Sequence, residues 1–399
     1  MKYLIIEPEC AGHYIALYIK FIVRLLSKNK SLVVLLTTKK TTKHKSFKVL
    51  LKENKNIKVE YIKYVRPKNF SSLSILCYQI KLYFLVKLAY QRSSKKYKFD
   101  HIFVNSLDHF DKALCLFGDP FGNVNFSGIY VNPKFHLTKY NLGFAGRYNF
   151  IAKFFFKKLL LINNLKNILT NDQFFIDYIA KNKFINFKKI KILHEPREFS
   201  HYFKKRYSRK ILKLPKENFF ILVYGALKET KGIIELSTAL RDDRINKKVS
   251  IILAGDQDTK IKNFLKSNLA RFLIKNKKLF IFEGFQNDKE ESTLFSASDI
   301  VWVGYQKKFP FLSGVLYQAS IKKLPIIAST HGIIGWMNRK YKLGFSVDID
   351  NVNLLVKTIN KLCNSKTYNS FSANIIDFSK KIDPKFFMAQ VNNLLIKKY

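Results

Sequence analysis

One stretch decides the fold of this chain: residues 309–348, which read FPFLSGVLYQASIKKLPIIASTHGIIGWMNRKYKLGFSVD. A Ser-Gly pair, Ser313 and Gly314, stands directly before a predicted helix over 315–321. The first turn of a helix exposes backbone N–H groups that have no partner within the helix, and it carries the positive end of the helix dipole. Phosphate is stabilised at such a place. The opening of the stretch therefore predicts a phosphate-binding turn.

The rest of the stretch continues as an α/β pattern. The short, β-branched run PIIAS over 325–329 predicts a buried strand. A glycine-punctuated loop is expected over 332–335, and a further strand over 344–349. Residues 2–105 likewise alternate short apolar strands with helices, which predicts a parallel sheet covered on both faces.

The order SGVL, A, LP, IAS, G, IG and LG along residues 313–344 resembles the signature of GT-B glycosyltransferases, specifically the group 1 proteins of family 4. The resemblance implies an α/β fold of two Rossmann-like domains that face each other across a cleft. It implies that the C-terminal domain binds a nucleotide-sugar donor, and that the sugar is transferred with retention of its anomeric configuration.

Four segments are predicted along the chain. An N-terminal Rossmann-like, acceptor-side domain is expected over 1–195 and a linker over 196–216, where a basic, loosely patterned stretch precedes a new strand. A C-terminal Rossmann-like, nucleotide-sugar-binding domain is expected over 217–366. Helices are expected over 367–399, and the resemblance implies that they pack back toward the N-terminal domain.

The chain is strongly basic, with a formal net charge of +44 over 399 residues. Residues 1–200 carry 36 Lys and Arg against 12 Asp and Glu, and residues 201–399 carry 36 against 16, so the excess is spread over both halves. Two interpretations stay open: the codon bias of an AT-rich genome, or attraction to anionic lipid headgroups or to a phosphate-bearing acceptor. No zinc spacing, helix-turn-helix pattern or RNA-binding aromatic motif supports a nucleic-acid partner.

Location is also predicted from composition. The apolar runs are too short to span a bilayer, and the chain opens on a strand pattern rather than a signal peptide. The four cysteines lie far apart without metal-ligand spacing, which is typical of reduced thiols in a cytosolic protein. We therefore expect a cytoplasmic protein, either free or peripheral on the inner face of the cytoplasmic membrane.

Two segments are candidates for contact with such a membrane, residues 78–98 and 150–169. Both are rich in aromatic residues and lysine, which suits an anionic membrane interface. The lysines of 150–169 do not separate onto one helical face, which favours a core helix instead.

The loop after the first strand contains Gly12 and His13. Ligands of open α/β sheets gather at the carboxyl ends of the strands, so Gly12 would let the backbone approach a ligand and His13 would donate to a phosphate or a sugar hydroxyl. The alternative is a simple turn with a capping role.

Asp108 and His109 follow the fourth predicted strand. A carboxylate beside an imidazole suits acceptor binding or proton transfer. Asp108 is equally a candidate N-cap for the helix that follows.

In the second half, Gly225 follows a strand and begins the pattern Gly-x5-Lys-Gly, in which the resemblance places Lys231 on the donor phosphates. Many family members carry Arg where this chain has Ala226. The resemblance also implies that Gly284 and Phe285, after a later strand, meet the nucleotide base.

The resemblance implies that five residues of the opening stretch bind the donor: Ser313, Gly314, Val315, Leu316 and Gln318. Typical members have two glutamates separated by seven residues, one for the ribose and one for the transferred sugar; the corresponding positions here are Gln318 and Pro310. Gln318 retains hydrogen-bonding capacity without charge, whereas Pro310 has no side-chain donor or acceptor.

The predicted function is transfer of a sugar from a UDP- or GDP-linked donor to a glycan or lipid-linked acceptor, in bacterial surface polysaccharide or lipopolysaccharide synthesis. Neither a cofactor nor a metal is required if Lys231 and the helix N-terminus neutralise the diphosphate leaving group. Because Pro310 and Ala226 depart from the family pattern, the alternative is a catalytically silent GT-B protein that binds a nucleotide or glycan as a scaffold.

Overall fold

The computed structural model describes residues 1–8, 15–69, 71–131, 133–140, 149–364 and 368–395. The chain divides into two compact units. The N-terminal unit consists of Met1–Pro196 together with Pro384–Tyr399, and the C-terminal unit consists of Arg197–Asp383.

The N-terminal unit is built on a parallel sheet whose described strands follow the order β3-β2-β1-β4-β5-β6-β7. The strands are β1 Lys2–Ile6, β2 Leu32–Thr38, β3 Ile57–Ile62, β4 His101–Val104, β5 Phe126–Ile129, β6 Leu165–Thr170 and β7 Ile190–Ile192. The α-helices of the described residues are α1 Lys20–Lys28, α2 Lys45–Glu53, α3 Ser72–Ser94, α4 Asp111–Phe117, α5 Asn149–Leu160 and α6 Gln173–Lys181. A π-helical turn, Ile15–Ile19, leads into α1, and 3-10 helices occupy Lys39–Lys43, Leu107–His109, Phe135–Tyr140 and Phe187–Lys189.

The core of this unit lies on both faces of the sheet. Successive residues of β1 alternate between the two faces, with Leu4 in one apolar cluster and Ile5 in the other. A strand that is buried on both sides has no place for polar side chains, which is why its sequence is a continuous apolar run.

The C-terminal unit has a second parallel sheet, in the order β10-β9-β8-β11-β12-β13. Its strands are β8 Phe219–Tyr224, β9 Val249–Gly255, β10 Leu279–Glu283, β11 Ile300–Val303, β12 Ile326–Ser329 and β13 Gly344–Val347. Its described α-helices are α7 Lys205–Ile211, α8 Ile233–Arg241, α9 Thr259–Leu265, α10 Asn268–Lys275, α11 Asp288–Ala297, α12 Gly314–Ile321, α13 Gly332–Tyr341, α14 Val352–Leu362 and α15 Ser372–Lys381, with a 3-10 turn at Glu229–Lys231. The predicted α/β class with parallel sheets is confirmed in both units.

The glycine-punctuated loop predicted over 332–335 is wrong, because these residues form the first turn of α13. Gly335 lies inside that helix, where an added Cβ would meet the Thr330 carbonyl oxygen at 2.4 Å. The glycine is required by close packing and does not interrupt the helix.

The basic stretch predicted as a linker is packed against the C-terminal sheet. Arg209 on α7 is buried, and its guanidinium donates to the carbonyl of Ala297 at 3.0 Å and to Asp299 at 2.6 Å. Asp299 also accepts from the backbone N–H of Phe220 at 2.7 Å. This network fixes α7 to the start of β8.

The last two helices belong to different units. Helix α15 packs on the C-terminal unit, where Phe378 lies against Tyr341 with ring centroids 4.6 Å apart. The final helix, α16 (Pro384–Leu395), packs on the N-terminal unit, with Phe387 6.1 Å from both Tyr18 and Phe21. The chain therefore returns to its first unit only after residue 383.

Several helices are followed, one or two residues after their last residue, by a lysine in the left-handed conformation. These lysines are Lys30, Lys183, Lys213, Lys277, Lys323 and Lys342, with φ between 49° and 57°. After α12, for example, Lys323 N–H donates to Ser320 at 3.0 Å and Leu324 N–H to Ala319 at 2.9 Å. The last carbonyls of the helix are thereby satisfied in the geometry that proteins usually assign to glycine.

Helix α3 is the only helix of the described residues that is long and apolar enough to cross a membrane, judged by length and composition. One side of it is part of the core, where Tyr78, Leu82 and Val86 are buried. The other side is exposed at Leu88 and Phe84.

Candidate functional site

The turn after β8 is the centre of the candidate site in the C-terminal unit. Gly225 adopts φ +90°, a conformation that favours glycine. A Cβ built on Gly225 would lie 3.8 Å from the Lys231 ammonium and 4.0 Å from a methyl group of Val315. Three sequence-predicted residues, from two separate segments, are therefore brought to one place.

Lys231 is held in position by its surroundings. Its side chain is only 8% exposed, and its ammonium donates to the carbonyl of Tyr224 at 2.6 Å. The ammonium also lies 5.4 Å from the ring centroid of Tyr305, and the Trp302 indole N–H donates to the Lys231 carbonyl at 2.6 Å. Main chain and side chain are thus both fixed, which places a positive charge at the carboxyl end of β8.

The Ser-Gly turn begins helix α12 as predicted. Ser313 is its N-cap and accepts from Val315 N–H at 3.4 Å, while the Tyr305 hydroxyl lies 2.9 Å from the Ser313 hydroxyl. Leu316 has a fully buried side chain, and its N–H donates to the Ser313 carbonyl at 3.1 Å. The Leu316 side chain therefore packs in the core, and its N–H is used within the helix cap. The backbone N–H groups of Gly314 and of the weakly bonded Val315 remain for the predicted anion contacts.

Three glycines line the carboxyl edge of neighbouring strands. Gly225 follows β8, and Gly255 is the last residue of β9. The two backbones approach so closely that a Cβ on Gly255 would lie 2.0 Å from the Gly225 carbonyl oxygen. Gly284 follows β10, adopts φ +88° and donates to the Gly255 carbonyl at 3.2 Å. Phe285, next in sequence, is 85% exposed. This edge offers a ligand exposed backbone and one aromatic ring.

Gln318 lies one turn into α12 and donates its amide N–H to the carboxylate of Glu291 on α11. The Tyr224 hydroxyl donates to the same carboxylate. Burial raises the pKa of the Glu291 carboxyl above its usual value, and the positive charge of Arg197 acts against that rise. Sequence reasoning missed Glu291, Tyr224 and Tyr305, since no spacing rule links them to the Ser-Gly turn.

Pro310 stands where family members carry the first glutamate, and it is buried. Its carbonyl accepts from Ile333 N–H at 2.9 Å, and a Cβ on Gly332 would lie 2.8 Å from the same oxygen. The residue holds the loop before α12 against the start of α13.

In the N-terminal unit, Asp108 and His109 form a 3-10 turn after β4. The His109 ring lies 3.4 Å from the Tyr78 hydroxyl, and the Asp108 carbonyl accepts from Gln79 at 3.1 Å. Helix α4 has Phe110 at its N-cap, so the capping role considered for Asp108 is wrong.

Gly12 and His13 lie outside the described residues. Directly before them, Glu7 is fully buried and accepts from the hydroxyl of Ser106, with the Asn105 amide as a further donor. Nothing in the local sequence pattern distinguishes this buried carboxylate from a surface glutamate, so its burial was not predicted.

Within the described residues, no group of three or more His, Cys, Asp and Glu side chains is arranged to hold a metal ion.

Known proteins share this architecture. Residues 204–381 match the family described as Glycosyl transferases group 1. The chain is similar to HepE of Anabaena, solved in complex with UDP and glucose, with 17% identity, a TM-score of 0.64 and 100% of each chain covered. It is similar to sucrose-phosphate synthase of Thermosynechococcus elongatus, with 13% identity, a TM-score of 0.70 and coverage of 100% and 98%. It is also similar to WaaG, a glycosyltransferase involved in lipopolysaccharide biosynthesis, with 14% identity, a TM-score of 0.61 and coverage of 99% and 100%. Among curated protein sequences none matches.

The two parallel sheets and these full-length structural matches define the fold as GT-B, which confirms the predicted fold class. The match over 204–381 shows that this part of the chain is similar to the group 1 glycosyltransferases, and the predicted enzyme class, a glycosyltransferase, is confirmed.

Proposed function

We propose that this enzyme takes a sugar from a nucleotide-sugar donor bound by its C-terminal unit and transfers it to a glycan or lipid-linked acceptor, with retention of configuration. The observation that supports the proposal best is the convergence of the Lys231 ammonium, the Gly225 turn and the N-terminus of α12. Together these features supply the positive charge and the backbone N–H groups that bind a diphosphate.

The chemistry of that place suits the departure of a nucleoside diphosphate. Negative charge grows on the diphosphate as the bond to the sugar breaks. A fixed ammonium and backbone N–H groups stabilise such charge with no reorganisation at the moment of reaction. Lys231, Gly314 and Val315 are assigned this role, and no metal ion is required for it.

The donor base is assigned to the edge formed by Gly284 and Phe285, where backbone groups and an exposed ring are available. UDP is the first candidate, since structures of HepE contain UDP and UDP-glucose. GDP is the second.

A basic aromatic surface on the N-terminal unit supports a lipid-linked acceptor. We define this surface by Phe84 and Leu88 on α3, Phe117 on α4 and Phe154 on α5, all of them exposed. The Phe84 and Phe117 rings are in contact, with centroids 5.3 Å apart, and Lys158 lies 4.9 Å from the Phe154 ring centroid. Aromatic residues with adjacent lysines bind the interface of an anionic bilayer.

We assign the protein a peripheral position on the cytoplasmic face of the membrane, for which this surface is the support. We assign the lipid-linked acceptor to the synthesis of surface polysaccharide or lipopolysaccharide. WaaG, whose fold is shared, takes part in lipopolysaccharide biosynthesis. His13, Asp108 and His109 are assigned to acceptor binding or proton transfer on the N-terminal side.

The donor assignment is tested with the purified full chain and a panel of UDP- and GDP-sugars. Binding is measured by calorimetry, and slow release of the nucleoside diphosphate is followed by chromatography. We expect one base to be preferred and its sugar to be hydrolysed slowly without acceptor. Failure of every nucleotide to bind would refute the proposal.

The membrane assignment is tested by flotation with vesicles of phosphatidylglycerol or phosphatidylcholine. Binding to the anionic vesicles should fall steeply with salt, because charges are screened beyond about 8 Å at physiological ionic strength. The double substitution Phe84→Ser with Phe117→Ser should weaken binding, whereas Phe272→Ser, at an equally exposed aromatic residue of the other unit, should not. Equal binding by both variants would refute the assigned surface. Binding that does not depend on salt or on lipid charge would indicate that the net charge reflects codon bias.

A further inference from the structure

A groove lies beside the edge strand of the N-terminal sheet. Strand β3 is the edge of that sheet, and the C-terminal half of α3 forms the other wall of the groove. The groove has a volume of about 590 Å³, within the range of roughly 300–1,000 Å³ that small-molecule sites occupy. Its lining includes apolar and aromatic side chains together with cationic ones: Tyr61, Leu85, Leu88, Lys63, Arg92 and Lys95.

The apolar and cationic side chains are separated along the groove. Leu85, Leu88, Arg92 and Lys95 follow one another at intervals of three, four and three residues, so they form one stripe along α3 and its C-cap. Arg92 lies about 6 Å beyond Leu88 along the helix axis, at a rise of about 1.5 Å per residue. The stripe is therefore apolar at one end and cationic at the other, which suits an amphiphile with an acidic head.

The positive charge in the groove is not neutralised by neighbouring groups. No acidic side chain is among the described residues that line it. The hydrogen bonds and ion pairs of the described part of the chain likewise leave the side chains of Lys63, Arg92 and Lys95 without a partner. Glu60, the acidic residue of β3, instead accepts from the hydroxyl of Ser93. The helix C-terminus contributes about half a negative charge, which three cations outweigh.

The apolar end of the groove borders the basic aromatic surface defined above. Leu88 lines the groove and is also a member of that surface, where it is exposed together with Phe84 one turn earlier. Arg92 and Lys95 lie farther along α3, away from Phe84. A phospholipid whose acyl chains stay in a bilayer at the aromatic surface would therefore direct its headgroup toward these two cations. This step rests on the membrane contact proposed above.

We propose that this groove is a binding site for one anionic phospholipid. Arg92 and Lys95 donate to the phosphate of the headgroup from α3, and Lys63 supplies positive charge from the β3 side. The glycerol and the first acyl carbons pack on Leu85 and Leu88. Such a site is saturable and selects an acidic headgroup, which distinguishes it from the diffuse attraction of a basic protein to an anionic surface.

The experiment uses the full chain and dihexanoyl phosphatidylglycerol, kept below its micelle concentration so that no bilayer is present. Binding is measured by calorimetry against two probes that each lack one feature. Dihexanoyl phosphatidylcholine has the same chains without net charge, and glycerol 3-phosphate has the anion without the chains. We expect saturable binding of the phosphatidylglycerol at one site and at least tenfold weaker binding of both other probes.

Two charge variants locate the site. Arg92→Gln with Lys95→Gln should weaken binding of the phosphatidylglycerol by about tenfold or more, as expected for lost hydrogen bonds to charged groups. Lys96→Gln with Lys98→Gln removes two exposed charges just beyond the groove and should bind as the wild type does. UDP affinity should be the same in all of these proteins. An equal loss of lipid affinity in the two double variants would overturn the inference.

The apolar half is tested by Leu85→Ser, which should also weaken binding. Leu73→Ser, at an exposed leucine in the first turn of the same helix, should not. Equal affinity for the two dihexanoyl lipids, or glycerol 3-phosphate bound as tightly as the lipid, would overturn the inference. If no short-chain lipid binds while the wild type still floats with anionic vesicles, this site is refuted and the membrane assignment stands. If short-chain lipid binds at the groove but no vesicle does, the membrane assignment is refuted and the site stands.

Discussion

Replacement of Lys231 by methionine tests the phosphate site most directly. Methionine keeps a buried apolar side chain and removes the ammonium that lies 5.4 Å from the Tyr305 ring centroid, while the indole of Trp302 still donates to the backbone carbonyl of residue 231. The loop should therefore keep its course. What is lost is one charge at the carboxyl end of β8, together with its 2.6 Å bond to the Tyr224 carbonyl.

The expected loss in binding follows from the contact that is removed. A hydrogen bond to a charged group contributes about 1.5–3 kcal/mol, so the dissociation constant of UDP should rise by about 10- to 150-fold. The folded state should lose about 1–2 kcal/mol as well, because the Tyr224 carbonyl loses its partner. Affinity should therefore be measured by calorimetry well below the unfolding midpoint.

Lys228→Met is the matched control, since Lys228 is exposed and lies three residues earlier on the same loop. It removes the same charge from the chain without touching the site, and UDP affinity should stay within about twofold. If a folded Lys231→Met variant binds UDP as tightly as the wild type, Lys231 does not hold the diphosphate. An equal loss in both variants would instead indicate a diffuse effect of net charge.

Three further predictions concern the same fold. Ser313→Ala should lower the free energy of unfolding by about 1 kcal/mol and weaken UDP binding. Ser267→Ala, at the N-cap of α10, should destabilise the fold equally but leave the UDP affinity measured by calorimetry unchanged. Equal UDP affinities in the two variants would contradict the site. Arg209→Ala should cost about 1.5–3 kcal/mol in urea unfolding, because Asp299 loses its buried partner and keeps only the exposed Lys205 as a cation; a loss under about 1 kcal/mol would show that α7 is not fixed by this pair. Burial lowers the pKa of His101 from 6.5 to about 4, so the unfolded chain takes up the proton first and stability should fall by up to about 3 kcal/mol as pH drops from 6.5 to 4. His101→Gln should flatten that part of the stability profile, and an unchanged slope would contradict the assignment.

The sequence predicted the local parts of the site well. Gly225 and Lys231 are separated by a short turn, and the Ser313-Gly314 pair begins a helix, so each pattern is contained within a few residues. Local patterns of this kind are set by turn geometry and capping, which a sequence displays directly.

The contact between Glu291 and Gln318 could not be predicted from the sequence, because it is not local. The two residues are 27 positions apart, and they meet because helix α11 precedes β11 while α12 follows it. Such a contact depends on how the helices pack on the sheet, and a glutamate on a polar first turn gives no local sign of it. The error over 332–335 is similar, since only the packing of Gly335 against Thr330 distinguishes a helix glycine from a loop glycine.

The six lysines that end helices in the left-handed conformation have a practical consequence for anyone producing the protein. At each position the Cβ is strained in the left-handed conformation, which lowers stability by about 1–2 kcal/mol. Glycine, which has no Cβ, would recover part of that stability. Glycine at all six positions would also remove six charges from the total of +44. A single redesign would therefore raise thermal tolerance and reduce nonspecific adhesion to polyanions together, which makes these helix ends the first places to engineer for purification and crystallisation.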